Sequence, residues 1–585
     1  MMYQTWYLAD KNVQYRLFNA IIKEQIFPEN MYCNSYDHFV ELQYHGQVLK
    51  LQKNRYSAME RYEFSGAITY IKGKVETEIT SLEQLLTVLD SHFDIPISNR
   101  LTEELISSRE GFALTYEHFN HRQSLIHATL KFSKMPETIN FFSWLQHMVD
   151  SEQINDLSYS ESLVIEGHPT HPLSKTKLPL TTEEIKQFAP EFEKVIALRI
   201  MLIHKHNCII TSMENDSEFL LDKVMPEYRY KLKAYLEALD LELKDYSVII
   251  VHPWQYDNVI PYKFVEWIES KLLLPTPFEI EARATLSFRT MQLIGKPFHV
   301  KLPVDVQATS AVRTVSSVTT VDGPKLSYEL QDMLAIYPQL QVAMEPFGIH
   351  ANTEPDTARH LACIVRHQPL IADNGTTLVT ASLVNRNPVD YQVTVDSYLN
   401  WVNHAITEDA IKKFLSIYTK TLIEPLIAYI QDYGLALEAH MQNTIVNLGP
   451  NYQMKFIIRD LGGSRIDLST LQQKLPNISI TNKSLIAENI EAVIAKFQHA
   501  VIQNQIAELI YHFSRYDDVE EAELFAIVSE IVEQAIDPHK AHAHMLKQVL
   551  FGPTITVKAL LRMRMESKVK QYVTIDLRNP IFKEV

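Results

Sequence analysis

The chain has 585 residues, of which 46% are hydrophobic and 22% are charged, so it is long enough for several domains with large buried cores. Its formal net charge of −16 argues against a general binder of nucleic acid or of an anionic membrane surface, although it leaves room for a small basic pocket. The three cysteines form no CxxC pair, which favours a reducing compartment and argues against a structural zinc cluster.

No targeting or membrane segment is predicted. The N-terminal sequence lacks a basic region followed by an apolar one, as a signal peptide would have. No stretch approaches the roughly 18 apolar residues that a membrane span requires. The sequence therefore predicts a cytoplasmic protein with no membrane and no nucleic acid among its partners.

Residues 1–155 form the first predicted unit, which is mixed and richer in helix than in strand. The segments "SLEQLLTVLDSHF" and "RLTEELISS" carry apolar residues at helical spacing. The segment "HFVELQYHGQVLKLQ" is interrupted by a His-Gly turn and predicts a β-hairpin. No catalytic cluster is predicted in this unit.

Residues 156–395 form the second predicted unit, which is rich in strands and punctuated by proline. "YSVIIVHPWQ" predicts a short buried strand that ends at Pro253. "ATLSFRTMQLIGKPFHVKLPVDVQ" alternates with period two on both sides of Gly295 and Lys296, which predicts a hairpin.

Residues 396–585 form the third predicted unit, which is mainly helical. "EDAIKKFLSIYTKTLIEPLIAYIQDYG" predicts a long amphipathic helix that ends near Gly434. One strand pair, "TIVNLGPNYQMKFIIRDLGG", interrupts the helices. Taken together, the three units predict an α+β fold.

The hairpin around Gly295 is the first candidate site. Ser287 and Arg289 lie two residues apart, so on a strand they would share a face, and Thr290 follows them. The turn would bring Lys301 back beside Thr290 on the partner strand. These hydroxyls and cations predict an anion-binding surface, with a hydroxyl-rich strand and solvated cations as the alternative.

The segment "QATSAVRTVSS" adds to this surface. Thr309 or Ser310 is predicted to be the N-cap of a helix, with Arg313 in its first turn. A helix N-terminus and a second guanidinium would complete a site for a polyanion.

The strand pair near residue 450 is the second candidate site. Asn443 precedes its first strand and Asp460 ends its second, so antiparallel pairing would bring these two residues together. Glu438, His440 and Gln442 lie just upstream. A carboxylate and an amide oxygen at a strand-pair end predict a magnesium site similar to the metal loop of kinase-like enzymes. The alternative is a buried acidic turn with a core histidine.

The stretch "EGHPTHPLSKT" is the third candidate site. Its prolines predict a rigid loop that fixes the directions of His168 and His171. Two histidines without a cysteine or carboxylate at ligand spacing are a weak zinc signal. Two interpretations stay open. The histidines contact phosphate or substrate, with Lys175 adding charge, or the loop is purely structural.

Together these segments resemble the NRPS-independent siderophore (NIS) synthetases, the aerobactin-synthetase or IucA/IucC-like family. The resemblance runs in order from about residue 160 to about residue 565. It is carried by "GHPTHPLSKTK", "SFRTM", "HVKLPV", "QATSAVRT", "LEAHMQN", "FIIRDLGG" and "TVKALLRMRM". The resemblance implies a cupped-hand architecture in which residues 1–155 are the thumb, 156–395 the fingers and 396–585 the palm. A homodimer is also implied.

The resemblance further implies an ATP- and Mg²⁺-dependent ligase. Such an enzyme adenylates a polycarboxylate, releases pyrophosphate, and condenses the acyl-adenylate with an amine or hydroxyl to release AMP. The substrate partners are then a polycarboxylate and an amine, and no covalent enzyme nucleophile is required.

Residue roles follow from the same resemblance. The implied ATP-binding residues are His171, Lys175, Ser287, Arg289, Thr290, Lys301 and Arg313. The implied carboxylate-binding residues are Thr309, Arg313, His440 and Lys558, and the implied metal ligands are Glu438, Asn443 and Asp460. His440, Arg313 and Lys301 are the implied catalytic residues. The His-Pro loop would then act as a lid over the nucleotide.

One position departs from the family pattern. Lys177 stands where the signature has an arginine, and a lysine keeps the charge but not the planar fork. The family's carboxylates are free citrate, 2-oxoglutarate or a mono-amide of citrate or succinate, and no single residue decides among them. General likeness in length and N-terminal segment favours the 2-oxoglutarate-using type that completes staphyloferrin B. The rival functions are a kinase-like phosphotransferase, which would release ADP, and a non-catalytic ferric-siderophore binder or reductase.

Overall fold

The computed structural model describes residues 2–132, 136, 138–309, 311–369, 371, 375–568 and 573–584. None of the helices in these described ranges is both long enough and apolar enough to cross a bilayer.

An antiparallel meander covered by helices builds the N-terminal part. Its five strands pair in chain order, and the predicted hairpin turns at His45 and Gly46, which both have positive φ. The second predicted helix segment belongs to a long helix of 34 residues. The elements are α1 (Met2–Lys23), β1 (Tyr32–Ser35), β2 (Phe39–Tyr44), β3 (Gln47–Ser57), β4 (Arg61–Lys72), β5 (Val75–Ile79), α2 (Leu82–Phe93), α3 (Asn99–Phe132), α4 (Phe141–Asp150) and α5 (Asp156–Ser162).

An eight-stranded antiparallel sheet dominates the middle part. Its strand order is β8-β16-β17-β12-β11-β10-β7-β9, and a small sheet of β14, β13 and β6 lies beside it. The elements up to the hairpin are β6 (Lys177–Leu178), α6 (Thr182–Phe188), β7 (Ile196–His204), β8 (Cys208–Ser212), α7 (Arg229–Glu237), β9 (Tyr246–Val251), α8 (Pro253–Asn258), α9 (Ile260–Lys263), α10 (Val265–Glu269), β10 (Leu273–Ala284), β11 (Thr290–Leu293) and β12 (Phe298–Lys301). Those that follow are β13 (Val304–Ala308), β14 (Ala311–Arg313), α11 (Ser317–Leu334), β15 (Leu340–Val342), β16 (Phe347–Ala351), α12 (Pro355–Ala358), β17 (Ala362–His367) and β18 (Thr376–Val379).

Helices surround a four-stranded sheet in the C-terminal part. The sheet order is β15-β21-β20-β18, so two of its strands come from the middle of the chain. The predicted long helix ends where Gly434 adopts the left-handed conformation. The elements are α13 (Thr394–Asn403), α14 (Glu408–Tyr433), β19 (Leu435–Ala436), β20 (Thr444–Leu448), β21 (Met454–Ile458), β22 (Arg465–Ile466), α15 (Leu468–Gln472), α16 (Ile490–Phe497), a π-helix (Gln498–Ile506), α17 (Ala507–Phe513), α18 (Glu521–Ala535), α19 (Ala543–Leu550), β23 (Thr554–Lys558), α20 (Leu560–Met565) and β24 (Thr574–Arg578).

Three large hydrophobic cores correspond to these parts. The N-terminal core also takes in Leu173 from the His-Pro loop and Leu561 from α20. The C-terminal core takes in α4 and α5 through residues such as Phe141 and Leu157. The three parts are therefore joined by shared packing, and the boundaries at 155 and 395 stay predictions.

Candidate functional site

A cavity of about 490 Å³ lies where the three parts of the chain meet. Its wall is built by the end of α1, the His-Pro loop, the turn after β10, the β13–β14 hairpin, the segment before β20, the π-helix and the end of β23. The predicted site residues on this wall are His171, Lys175, Ser287, Thr309, Arg313, Glu438, His440 and Lys558. The predicted residues Arg289, Thr290, Lys301, Asn443 and Asp460 are not part of the wall.

His171 presents a free donor to the cavity. Its side chain is buried, with 2% exposure, and its Nδ1 accepts a hydrogen bond from the backbone N–H of Leu173 at 3.2 Å. The proton therefore sits on Nε2, which is buried and has no partner within the described part of the chain. Burial, and then the charges of His168 and Arg16, lower the pKa of His171 to about 3. His171 is thus a neutral N–H donor that awaits an acceptor.

Lys175 is already engaged. Its Nζ donates to the carbonyl of Val164 at 3.0 Å and to the carboxylate of Glu191 in a buried ion pair. Burial alone would raise the pKa of Glu191, but Lys175 and Lys177 lower it to about 2. A direct contact between Lys175 and a phosphate would require this pair to open. In the structure Lys175 anchors the loop that carries His171.

The stretch from Ser287 to Arg289 is a turn, so the prediction that both residues share one face of a strand is wrong. The strand β10 ends at Ala284, and the chain reverses through Phe288, whose φ is 68°. The Ser287 hydroxyl accepts a hydrogen bond from the N–H of Thr290 at 3.1 Å and faces the cavity. Arg289 instead donates to the carbonyl of Thr314, because the turn directs its side chain away from Ser287.

The hairpin after this turn is confirmed. Thr290 lies directly opposite Lys301 in the antiparallel pair of β11 and β12. The Nζ of Lys301 donates to both carboxylate oxygens of Asp460, at 2.9 and 2.8 Å. Burial alone would raise the pKa of Asp460, but Lys301 and Arg366 hold it far below its usual range. Asp460 therefore stays ionised and gathers a cluster of cations behind the cavity wall.

Arg313 lies on a strand and not in a helix, which corrects the predicted N-cap. β13 and β14 pair as a hairpin from Val304 to Arg313, and the next helix begins only at Ser317. Thr309 takes φ 60° at the tip of this hairpin, and Ser310 lies outside the described residues. The Nη2 of Arg313 donates to the carbonyl of Ala308 at 3.1 Å, while its Nε is buried and has no partner among the described residues. Burial and then Arg289 lower the pKa of Arg313 to about 10.

The strand pair near residue 450 is confirmed. β20 and β21 are antiparallel, and the N–H of Arg459 donates to the carbonyl of Asn443 at 2.9 Å, so Asn443 and Asp460 lie at the same end. Glu438 lies close to the same end, on the other side of the adjacent residues Gly462 and Gly463. A Cβ on Gly463 would lie 1.8 Å from Glu438 Oε2, and a Cβ on Gly462 would lie 3.3 Å from Asp460 Oδ1. Glu438 pairs with Lys496 of α16.

These oxygens fit magnesium in one respect and not in another. Two carboxylates and an amide are the hard donors that Mg²⁺ prefers when nucleotide phosphates supply its other ligands. Each carboxylate, however, already carries an ammonium ion. No group of three His, Cys, Asp or Glu side chains suited to a metal occurs among the described residues. The donor set suits an ion that arrives with phosphates better than a resident metal.

His440 and Lys558 lie on the side of the same cavity that the C-terminal part builds, with residues that sequence reasoning missed. Burial lowers the pKa of His440. His499 and Asn504 stand beside them on the π-helix, and the His499 ring nitrogen Nδ1 lies 3.0 Å from Gln503 Oε1. The signal in the sequence that could have identified them is the group of glutamines, histidine and asparagine inside an otherwise apolar helix.

Family models match two segments of the chain. The IucA / IucC family model covers residues 156–385, and the model of the ferric iron reductase FhuF-like transporter covers residues 412–573. No cysteine occurs between residues 412 and 573, although an iron–sulfur reductase would need several. The second match therefore gives no support to a reductase.

Curated relatives and solved structures extend over nearly the whole chain. Staphyloferrin A synthase of Staphylococcus aureus is 60% identical over 100% of both chains. The D-ornithine–citrate ligase of the same organism is 26% identical over 90% of this chain and 84% of its own, and its staphyloferrin B synthase is 24% identical over 82% and 79%. The prediction that the chain is of the staphyloferrin B type is therefore not supported, since its identity to staphyloferrin A synthase is much higher.

Two solved structures share the fold. The petrobactin biosynthesis protein AsbB of Bacillus anthracis has a TM-score of 0.80 at 18% identity, covering 99% of this chain and 96% of that one. ATP-bound aerobactin synthetase IucA of Klebsiella pneumoniae has a TM-score of 0.77 at 17% identity, covering 98% and 100%. The predicted α+β class is thus confirmed as a mixed α/β fold of this kind. The chain belongs to the IucA/IucC family of NRPS-independent siderophore synthetases, and it is a ligase, as its sequence motifs predict.

Proposed function

We propose that the chain adenylates a polycarboxylate of the citrate type with ATP and condenses it with an amine, releasing AMP and pyrophosphate. The observation that carries this proposal is that one cavity wall holds two sets of donors. His171 and Arg313 supply unpartnered N–H groups at one side, and His440 and Lys558 lie at the other. The name of the D-ornithine–citrate ligase supports citrate, and the ATP-bound relative supports ATP.

The residues have distinct tasks in this reaction. The Nε2–H of His171 and the guanidinium of Arg313 bind the phosphates, with Ser287 beside them. His440, Thr309 and Lys558 orient the carboxylate, whose oxygen attacks the α-phosphorus while the bond to pyrophosphate breaks. Lys301, held by Asp460, adds positive charge from behind the wall.

The second step needs no enzyme nucleophile. The amine, after losing a proton, attacks the acyl carbon, and the bond to AMP breaks. Burial raises the pKa of the Cys363 thiol to about 12, and the other two cysteines do not line the cavity. Magnesium bound with the nucleotide would neutralise phosphate charge, and Glu438, Asn443 and Asp460 would hold it.

The finer features implied by the family stay part of the proposal. These are the thumb, fingers and palm arrangement, the kinase-like metal loop, the homodimer and a cytoplasmic location. Light scattering of the purified chain tests the homodimer directly. A monomer at micromolar concentration would contradict it.

A trapping experiment tests the reaction. The purified enzyme is incubated with ATP, magnesium and hydroxylamine, and citrate, 2-oxoglutarate and succinate are compared as substrates. We expect a hydroxamate with citrate, together with AMP and pyrophosphate. Release of ADP would instead support the kinase-like alternative, and a hydroxamate with 2-oxoglutarate alone would change the substrate class.

A further inference from the structure

A buried ion pair lies between two segments of the cavity wall. It joins Glu161 of α5 to Arg459, the residue that follows β21 and precedes Asp460. The two residues are 1% and 2% exposed, and neither is itself part of the wall. The proposed adenylation gives neither of them a task. A buried ion pair is weak evidence for stability, since well-packed apolar residues can serve as well, so the contacts of this pair must show what it does.

The carboxylate of Glu161 reaches the turn that carries Ser287. Its Oε2 accepts a hydrogen bond from the backbone N–H of Leu286 at 2.8 Å. Leu286 lines the cavity and directly precedes Ser287, whose hydroxyl accepts from the N–H of Thr290 and faces the cavity. Glu161 thus fixes the start of the turn that brings Ser287 to the phosphates in the proposed reaction.

The guanidinium of Arg459 reaches the opposite segment. Nη1 and Nη2 donate to the two oxygens of Glu161, while Nε and Nη2 also donate to the carbonyl of Gln442, at 3.2 and 2.8 Å. The backbone N–H of Arg459 donates to the carbonyl of Asn443 at 2.9 Å, and the N–H of Asn443 donates to the carbonyl of His440 at 2.9 Å. Arg459 therefore fixes the segment that carries His440 in relation to Glu161.

This pair links the middle part of the chain to the C-terminal part. The turn at Leu286 connects two strands of the eight-stranded sheet, whereas Arg459 follows a strand of the four-stranded sheet. α5 is attached to the four-stranded sheet, because the Ser160 hydroxyl accepts from the N–H of Val379 in β18 at 2.9 Å. The contact between Glu161 and Leu286 is then the point where the position of one sheet is transmitted to the other.

We propose that Glu161 is a positioning residue for adenylation, and that it acts through Arg459 by holding the Ser287 turn and the His440 segment at a fixed separation. In-line attack depends on this separation, since a misplacement of about 1 Å can cost about a hundredfold in rate. Breaking the pair removes no ligand-binding group from either segment. The rate should therefore fall while the binding of each substrate is kept. The inference rests on the proposed function, because it concerns the first step of that reaction.

Glu161→Gln tests this role. The amide nitrogen would face a donor of Arg459, so the two-point contact is lost. With ATP, magnesium and citrate, we expect kcat in hydroxylamine trapping to fall at least about tenfold and the KM values for ATP and citrate to change by less than about threefold. Arg459→Lys should show the same division, because an ammonium ion lacks the planar fork that binds Glu161 and the Gln442 carbonyl together.

A double variant separates positioning from stability. Glu161→Gln leaves Arg459 buried without its carboxylate, whereas combining it with Arg459→Met removes that charge as well. The double variant should melt at a higher temperature than Glu161→Gln, and its kcat should stay as low, because the link between the two segments is still missing.

Asp10→Asn is the matched control. Asp10 is buried in the N-terminal part and, like Glu161, accepts both from a guanidinium, that of Arg109 at 3.1 Å, and from a backbone N–H, that of Leu82 at 3.2 Å. None of these three residues lines the cavity. Asp10→Asn should therefore lower the melting temperature and leave kcat within about twofold of the wild type.

Each outcome decides for or against the positioning role. A smaller fall in kcat for Glu161→Gln, a loss confined to KM, recovery of kcat in the double variant, or an equal loss of kcat in Asp10→Asn would overturn it. If Glu161→Gln does not fold, Arg459→Lys and the double variant carry the same test. Absence of hydroxamate in the wild type would overturn the proposed function instead.

Discussion

Asp460 gathers positive charge at one point of the molecule. Both of its oxygens accept from Lys301, and Arg366 Nη2 lies 3.8 Å away. Replacing Asp460 with asparagine leaves Lys301 buried without its anion, whereas Arg366 keeps its pair with Glu345. We expect the free energy of unfolding to fall by about 3 kcal/mol at neutral pH, and adenylation to be lost because the amide supplies no negative charge.

The pH dependence of this loss has a definite sign. The pKa of Asp460 is depressed in the folded chain, so its contribution is present above the unfolded value of about 3.9 and is lost as pH falls below it. Urea unfolding should therefore show the Asp460→Asn deficit narrowing below about pH 4. Asp432→Asn, which breaks the surface pair with Lys540, is the control and should cost less than about 1 kcal/mol. Normal turnover of Asp460→Asn across a magnesium titration would contradict the assigned role.

In the proposed reaction, Lys558 and His440 divide the task of holding the carboxylate. Lys558 ends β23 and comes from the most remote part of the chain. Lys558→Ala should raise the KM for the carboxylate about tenfold and change that for ATP by less than about twofold. His440→Ala should lower kcat as well, because a group at the reacting centre acts on the transition state. Steady-state pyrophosphate release, with each substrate varied in turn, measures both, and equal weakening of ATP and carboxylate by Lys558→Ala would place Lys558 with the phosphates.

At the scale of elements, the short turn after Asp460 sets the position of Glu438. A Cβ on Gly463 would lie 1.8 Å from Glu438 Oε2, so Gly463→Ala must displace that carboxylate, whose other oxygen pairs with Lys496. We expect kcat to fall at least about tenfold in a folded protein. Gly462→Ala is the matched control, since its nearest contact is the Thr319 methyl group at 3.1 Å and its effect should be smaller. Equal activity of the two variants would remove Glu438 from the site.

Elements with strong alternation or a clear cap could be predicted from sequence. The β11–β12 and β20–β21 pairs follow from period-two patterns around glycine-containing turns, and Gly434 marks the end of α14. Shorter features could not be predicted. β14 has only three residues, and the turn at Phe288 depends on a left-handed conformation that its residue type does not favour.

Residues that meet through tertiary packing were harder to find. His499 lies on the π-helix and Lys23 at the end of α1, and no motif relates them although both line the cavity. Their approach to His440 depends on how the N-terminal part packs against the C-terminal helices. Family resemblance supplied the roles of residues such as Arg313, but not the strand on which Arg313 lies.

At the scale of the whole molecule, the cavity exists because three separately packed parts close around it. Leu173 and Leu561 show how this closure is held, since each inserts into the N-terminal core from another part of the chain. The ends of the segments that carry the site are thus fixed by hydrophobic contacts outside it.

The same closure buries several histidines in their neutral form. Burial lowers the pKa of His118 and His168 to about 4 and that of His171, His252 and His499 to about 3. Below about pH 6.5 the unfolded chain binds protons that the folded chain does not, so the free energy of unfolding must fall as pH falls. Burial raises the pKa of Glu24 to about 7 and also raises that of Asp156, and these two carboxyl groups oppose the trend.

His252 allows the prediction to be tested away from the cavity. Its Nδ1 caps α8 by accepting from the N–H of Trp254 at 3.1 Å, and its Nε2 is buried without a partner among the described residues. Asparagine can keep this cap but cannot be protonated. Between about pH 6.5 and pH 5, His252→Asn should therefore lose about 2 kcal/mol less of its unfolding free energy than the wild type. His121 is exposed, so His121→Asn is the control and should lose as much unfolding free energy as the wild type. Urea unfolding at both pH values measures the loss in each protein. An equally large loss in His252→Asn would show that buried histidines do not cause the fall in stability at acid pH.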